Sequence, residues 1–417
     1  MTDEIVLRSP TAAEFPRFVA PLSIAFNHSM SGAEIENELH TAELDRFVGA
    51  LDGDAVVGCA GAYTFGLTVP GGEVAAPGLT SVGVLPTHTR RGILRRMMTW
   101  IFDQARERQE PVAILWASEA AIYQRFGYGP ATQQTFFEAQ RDKIRFLRPV
   151  ESPGRMRIVD ADEAARRFPP IYDAIRPGLP GALTRTEGRW RREFLADHEW
   201  HRHGNGEMVR ALLEVDGEAR GYTLYRQLGD WDRSGPKGVI TVTEVLGLDA
   251  DAEQAIWEWL FGIDLIGTVR GWRGPAHHPL HLMITEPRRL AMTLTDGMWL
   301  RIIDLPAALQ ARSYKGPGTV VLDVADEFCP SNAGQWQLDV TGDVATGTPS
   351  AAVTPAAPAA EVDIRLDVGA LAAVYLGAFT FRDLARAGRA RECRSGAIAR
   401  AGALFATDQA PSATTVF

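Results

Sequence analysis

The sequence predicts a mixed α/β chain in three parts: two consecutive domains of one strand-and-helix order, then an α+β domain. Three observations support this. Strand-like and helix-like patterns alternate over the first 150 residues, the same order returns faintly between residues 209 and 264, and the texture changes from about residue 305. At 417 residues the chain is too long for one ordinary core, and 46% hydrophobic with 23% charged residues is a globular composition.

In the first part, RFVGALDGDAVVGCAGAYTF (46–65) reads as a hairpin, two β-rich runs around Asp52-Gly53. GLTSVGVLP (78–86) follows as a strand and RGILRRMMTWIFDQARER (91–108) as an amphipathic helix, with Ile93, Met97, Ile101 and Ala105 on one face. PVAILWAS (111–118) suits a buried strand, and AAIYQRF (120–126) a short helix ended by Gly127. In the second part VRALLEVDGEARGYTLYR (209–226) again places two β-like runs around Asp-Gly, here Asp216-Gly217. VITVTEVLGL (239–248) and the helix AEQAIWEWLFGID (252–264) complete the echo. Where the first copy has Arg-Arg-Gly, the second has Asp-Ala-Asp-Ala-Glu (249–253), so an internal duplication that lost its basic turn is the simplest account. In the third part GTVVLDVADEF (318–328), QWQLDVTGD (335–343) and EVDIRLDV (361–368) are strand candidates. The Ala/Pro/Thr-rich stretch 344–360 reads as a loop or hairpin tip, and 369–378 and 381–390 as helices.

Charge and cysteine usage narrow the function classes. A net charge of −9 argues against a general nucleic-acid binder and suits cationic small molecules. Only three of the 43 basic residues are lysines, a bias that fits a GC-rich bacterial genome. Cys59, Cys329 and Cys393 show no CxxC spacing, as expected of a reducing compartment. MTDEIVLRSP lacks a basic stretch leading into an apolar run, and VGALAAVYLGAFTF (368–381) is too short and Gly-broken to span a bilayer. The expected location is cytoplasmic, with no membrane span.

The stretch TSVGVLPTHTRRGILRRMM (80–98) hands a strand over to an arginine-studded helix. A helix N-terminus presents unpaired N–H groups and a partial positive charge, Gly92 permits close backbone approach, and Arg90, Arg91 and Arg95 can pair with phosphate oxygens. Equally, an Arg-rich protein readily produces a solvated basic helix start. His198, His201 and His203, with the histidines of HHPLH (277–281), read as surface-loop residues, so no metal is expected. The acidic helix AEIENELHTAELDRF (33–47) reads as a solvated face, with Glu34, Glu36 or Glu38 available to attract cations.

Together with PVAILWAS and IYQRFGYGPA, the basic turn resembles the GCN5-related N-acetyltransferase (GNAT) superfamily. There a strand–Arg/Gln-x-x-Gly-x-Gly/Ala–helix unit grips the acetyl-CoA pyrophosphate, and a Tyr-x-x-x-Gly-Phe/Tyr helix supplies a general acid. Tyr123 to Gly127-Tyr128 matches the second motif. The first departs from pattern at Thr89, where Arg or Gln is usual, and at Leu94, where Gly or Ala is usual. The longer strings VLPTHTRRGILRRMM and SEAAIYQRFGYGPA resemble the mycobacterial enhanced-intracellular-survival (Eis) family, as does LTDGMWLRIID (294–304).

That resemblance implies a catalytic GNAT domain over 1–152, a degenerate GNAT-like domain over 153–304 and a sterol-carrier-protein-like domain over 305–417. It implies acetyl-CoA as co-substrate, a primary amine of a cationic small molecule such as an aminoglycoside, or a lysine side chain, as acceptor, and a hexamer. By motif, Val82 and Val84 would offer backbone groups to the pantetheine arm and thioester carbonyl. Arg90, Arg91, Gly92, Ile93, Leu94 and Arg95 would cradle the pyrophosphate, and Ser118 and Glu119 would line the groove. Tyr123 would protonate the departing thiolate, and the α-carboxylate of Phe417 would act as general base. Val416 gives that carboxylate no acidic neighbour and Asn27 is neutral, which leaves the acceptor open. A lipid-binding protein with a silent acetyltransferase body is the alternative, but the survival of Tyr123 and Arg-Arg-Gly in the first copy favours a working enzyme.

Overall fold

The chain opens with β1 (Val6–Arg8), α1 (Phe15–Ala25) and α2 (Gly32–Thr41), the last started by a capping box between Ser31 and Glu34. The expected acidic helix ends at Thr41, and Leu44–Arg46 forms a separate 3₁₀ turn. The hairpin forms as β2 (Phe47–Asp52) and β3 (Ala55–Val69), closed where Asp52 faces Ala55. β4 (Gly72–Val84) starts six residues earlier than expected and pairs with β3 along almost its whole length. Next come α3 (Ile93–Glu107), β5 (Val112–Trp116), α4 (Ala120–Gln124) and the short β6 (Gly129–Pro130). The expected helix face is the buried one: Ile93, Met97, Ile101 and Ala105 pack with Val48, Ala50, Val57 and Ala60. A buried bidentate pair, Arg46 Nη1 and Nη2 to Glu110 Oε1 and Oε2 at 2.8 and 2.7 Å, ties the start of β2 to the loop before β5.

This computed structural model describes residues 5–151, 154–342 and 350–417, and the chain divides into two compact units. The first is Met1–Thr132 with Gly297–Gln409 and Thr415–Phe417; the second is Gln133–Asp296 with Ala410–Thr414. The expected boundary at 152/153 touches residues outside those described.

The second unit contains β7 (Gln133–Gln140), β8 (Arg155–Ile158), α5 (Ala161–Ile175), the short α6 (Glu187–Arg189), β9 (Met208–Val215) and β10 (Glu218–Leu228). A two-stranded ribbon of β11 (Trp231–Asp232) and β12 (Gly235–Pro236) leads to β13 (Gly238–Gly247), α7 (Ala250–Gly262), β14 (Ile266–Pro275), α8 (Leu280–Met283) and β15 (Thr293–Asp296). The β9–β10 turn has φ of 52° at Asp216 and 83° at Gly217, the left-handed pair that makes Asp-Gly a hairpin signal. Its core holds the buried Arg185–Glu244 pair, whose carboxylate also accepts from Tyr222 and from Thr414 Oγ1 at 2.7 and 3.0 Å.

The last part begins with β16 (Met298–Ile302), which completes the first sheet, in the order β1-β2-β3-β4-β5-β16-β6. β7 belongs to the second sheet, in the order β15-β7-β14-β13-β10-β9-β8. Both sheets share one plan, consistent with the duplication: four antiparallel strands, a helix, then a strand parallel to the fourth. Then follow α9 (Leu305–Ala311), β17 (Gly318–Ala325), β18 (Gly334–Thr341), β19 (Ser350–Pro355), β20 (Ile364–Asp367), α10 (Val368–Tyr375), α11 (Phe381–Arg386), β21 (Ala390–Glu392) and α12 (Ala397–Leu404). They form a five-stranded mixed sheet, β19-β18-β17-β20-β21, with its helices. β19 corrects the loop expectation for 344–360: Ser350–Pro355 pairs with β18, and ladder hydrogen bonding outweighs an Ala/Pro/Thr composition. Residues 343–349 of that stretch and of the preceding strand candidate lie outside the described residues. No helix among the described residues is long and apolar enough to cross a membrane.

Candidate active site

β4 and β5 run parallel but pair only at Gly78–Ile114 and Leu79–Leu115. Beyond Leu79 and Leu115 the two strands part. β4 also bulges there: Cys59 faces Gly83 while Gly61 faces Thr80, which leaves Ser81 and Val82 opposite one residue. Ser81 takes φ 54°, and Cys59 Sγ donates to its carbonyl at 3.3 Å. Leu85 N–H donates to Val57 C=O, so by antiparallel alternation Val84, one residue back, turns its main-chain groups away from β3. Half-buried Val82 and Val84 thus lie on the β4 segment that no longer pairs with β5.

α3 begins nine residues after β4 ends. Its N-cap is Gly92 at φ 76°, no side chain caps it, and nothing lies within 4 Å of where a Gly92 Cβ would sit. The first intrahelical bond is Arg96 N–H to Gly92 C=O, so the amides of Ile93, Leu94 and Arg95 precede the ladder. Ile93 is 2% exposed, and only its main chain is available to a ligand. Arg90 is held at φ 62° and exposed. Arg91 pairs with Asp52 at 3.2 Å beside His88, and Arg95 lies 4.9 Å over the Phe328 ring. The three arginines surround the helix start, with two already engaged by protein groups.

On the other side of the opening, Ser118 and Glu119 are exposed just past β5, and Tyr123 is buried on α4. Burial, then the nearby Glu119 charge, pushes the Tyr123 hydroxyl up to about 12, so it is protonated at neutral pH. Its ring meets Tyr128 edge to face at 5.9 Å, and the fully buried Tyr128 hydroxyl has no hydrogen-bond partner among the described residues.

The end of the chain does not fray. Thr415 is 1% exposed, and its carbonyl accepts from Trp116 Nε1 at 3.1 Å. The Phe417 ring lies 4.9 Å from that of Phe65. A Cβ on Gly78 would come within 2.6 Å of the Phe65 ring and 2.7 Å of the Phe417 ring, so any side chain there would force these rings to shift. Phe417 therefore packs where β4 and β5 begin to part. Tyr63 and Phe65 alternate onto the same sheet face, opposite the one α3 covers, and Glu38 reaches that face from α2. Glu38 Oε1 accepts from Tyr63 Oη at 2.6 Å and Ser81 Oγ at 3.4 Å. Glu34 is taken up by its capping box and His28, while Glu36 is exposed. Trp116, Phe65 and Gly78 had no signal in sequence, because their partners at the C-terminus are some 300 residues distant.

Elsewhere, His278 departs from the surface-loop expectation: it is 6% exposed, against the rings of Phe137 and Trp257, and burial lowers it to about 4. Among the described residues no group of three or more His, Cys, Asp or Glu is placed to hold a metal ion.

Family models described as acetyltransferase (GNAT) domains match residues 6–131 and 181–302, and a sterol carrier protein domain model matches 305–414. An uncharacterized N-acetyltransferase of Streptomyces avermitilis is 39% identical over 88% of both chains. N-acetyltransferase Eis of Mycobacterium tuberculosis is 38% identical, covering 86% of this chain and 85% of its own. The crystal structure of Eis1 from Mycobacterium abscessus is 32% identical with a TM-score of 0.83, covering 99% of this chain and 100% of that one.

Proposed function

Since the chain belongs to the Eis family of GCN5-related N-acetyltransferases, we propose that it uses acetyl-CoA to acetylate a primary amine of a cationic small molecule or lysine side chain. The observation that supports this best is the parting of β4 and β5, flanked by the uncapped start of α3 and by Tyr123, with Phe417 at its base.

The main-chain groups of Val82 and Val84 take the pantetheine arm and thioester carbonyl as an added strand edge would. The amides of Gly92, Ile93, Leu94 and Arg95 meet the pyrophosphate with Arg90. Arg91 reaches it by exchanging its Asp52 pairing for phosphate, and Arg95 by leaving the Phe328 ring. Ser118 and Glu119 border the groove. The Phe417 carboxylate takes a proton from the acceptor ammonium, and the freed amine attacks the thioester carbon. The tetrahedral oxyanion is held by the Val84 amide. Its collapse breaks the C–S bond, and Tyr123 gives its proton to the CoA thiolate. The proton that the attacking nitrogen must still shed to become an amide returns through solvent to the tyrosinate. An α-carboxylate of ordinary pKa roughly 3.3–3.7 is ionised and ready to accept. The degenerate second domain and the hexamer enter this proposal on the family resemblance alone, and sedimentation measures the latter.

The test is thiol release from acetyl-CoA over a panel of amines, beside calorimetric binding of CoA. Amine-dependent release is expected. Binding of CoA without release for any amine would remove the transfer reaction, and absence of both would remove the cofactor site.

A further inference from the structure

We infer that Phe328, a residue of the third part, is a positioning residue of the cofactor site: its ring parks Arg95 in the free enzyme, and acetyl-CoA must draw Arg95 away to bind. This rests on the reading of the α3 start as the pyrophosphate site. Phe328 lies in the loop between β17 and β18, inside the same compact unit as α3. Its ring sits edge to face against Phe102 at 5.4 Å and Phe126 at 5.0 Å, and the Arg95 guanidinium lies 4.9 Å over it. Phe102 is on α3, and Phe126 follows α4, its N–H donating to the Tyr123 carbonyl at 3.0 Å.

The loop that carries the ring is firmly held. Asp326 Oδ1 accepts from the N–H groups of Phe328 and Cys329 at 3.2 and 2.9 Å, and its Oδ2 accepts from Arg301 Nη2 at 2.6 Å. The Asp326 and Arg301 side chains are 1% and 0% exposed, so breaking this pair would leave a buried charge unpaired. Arg106 Nη2 adds a bond to Cys329 Sγ at 2.9 Å. Arg95 is the opposite case. It is exposed, on the first turn of α3, and lies over a ring that offers its charge a face but no hydrogen-bond acceptor. Because that ring also touches Phe102, seven residues further along the helix, Arg95 is drawn along the flank of α3 and away from the uncapped amides. A phosphate oxygen forms charge-assisted hydrogen bonds that the ring cannot. Acetyl-CoA therefore wins Arg95 but gives up the ring contact, and the fixed ring takes Arg95 back when CoA leaves.

The experiment titrates CoA by calorimetry into full-length wild type, Phe328→Leu, Phe328→Tyr, Arg95→Ala, and the combination of Phe328→Leu with Arg95→Ala. Leucine fills the space against Phe102 and Phe126 but has no π face, and Phe328→Met gives the same comparison should the leucine variant fail to fold. CoA should bind Phe328→Leu more tightly, by about two- to fivefold, the worth of one exposed cation–π contact, while Phe328→Tyr stays at the wild-type Kd. With Arg95→Ala already in place, the same leucine substitution should leave Kd unchanged, which a merely structural packing change would not do. Unchanged or weaker binding in Phe328→Leu, or an equal change with and without Arg95, overturns the inference while leaving the cofactor site standing. Wild type that binds no CoA sinks the pyrophosphate reading, and this inference with it.

Discussion

Tyr123 has to be buried enough to keep its proton and open enough to deliver it. Its hydroxyl is raised to about 12, by burial first and Glu119 second, so the neutral form dominates across the working range. Tyr123→Phe removes one oxygen and leaves the ring against Tyr128. It should lower kcat by roughly 10²–10⁴-fold with little change in the KM for acetyl-CoA. The neighbouring hydroxyl supplies the control. Tyr128 buries an unpaired O–H, so Tyr128→Phe should keep activity and raise thermal stability, by about 1 kcal/mol. A larger kcat loss at Tyr128 than at Tyr123 would exchange their roles. The raised Tyr123 value also fixes a sign. The folded state favours the neutral phenol, so its contribution to stability is whole below about 10 and lost as pH climbs toward about 12.

The two related helices, α3 and α7, show how one element can keep or lose a ligand site. α3 starts at an exposed, left-handed Gly92 without a side-chain cap. α7 starts at Asp249, whose own carboxylate accepts from Ala252 N–H at 2.8 Å and pairs with Arg220. Gly247 packs so closely there that a Cβ would come within 2.4 Å of Glu253 N. A carboxylate already occupies the place of an anion, so calorimetry should find one acetyl-CoA per chain, and two would refute the contrast. Glu253 gives this end of α7 a pH dependence: burial raises it to about 7. As pH rises from about 4.5 to 7 the unfolded chain ionises there first, and the folded state loses stability. Glu253→Gln should therefore stabilise the protein at pH 8 by about 1–3 kcal/mol and change little at pH 4, as denaturant melts at both values can check. Much of this was legible in sequence, since Arg-Arg-Gly against Asp-Ala-Asp-Ala-Glu already marks which helix start is basic. What periodicity could not supply was β19, whose strand character comes from pairing with β18 rather than from its residues; α10, buried on every side and so without an amphipathic stripe, was legible from composition as the helix expected at 369–378.

Across the whole chain, local pattern placed the two sheets' hairpins, but the contacts that seat the C-terminus join residues that no local pattern relates. Trp116 Nε1 to the Thr415 carbonyl, and Phe417 over Phe65 and Gly78, exist only once the sheet has formed. The tail QAPSATTVF is mostly polar, and its burial comes from anchorage, with Pro411, Ser412, Ala413 and Thr415 all buried. This anchorage makes the base assigned to Phe417 testable by one residue of chain. A C-terminal glycine extension keeps the Phe417 ring on Phe65 and the Thr415–Trp116 bond. It converts the α-carboxylate into an amide and moves the charge by about 3.3–3.6 Å. Thermal stability should stay near that of the wild type, while kcat should fall, by roughly 10²-fold or more. Deleting Phe417 loses both ring and carboxylate position. It should cost about 1–2 kcal/mol of stability for the half-buried ring and show at least the same loss of turnover. Gly78→Val leaves the carboxylate chemically intact while its side chain collides with the rings of both Phe65 and Phe417 and shifts the seat of the terminus. Its turnover should fall too, with the acetyl-CoA KM moving less than kcat. If the glycine-extended protein turned over at the full rate, the acceptor proton would leave by another route, and the ordered tail would serve only to close the end of the sheet.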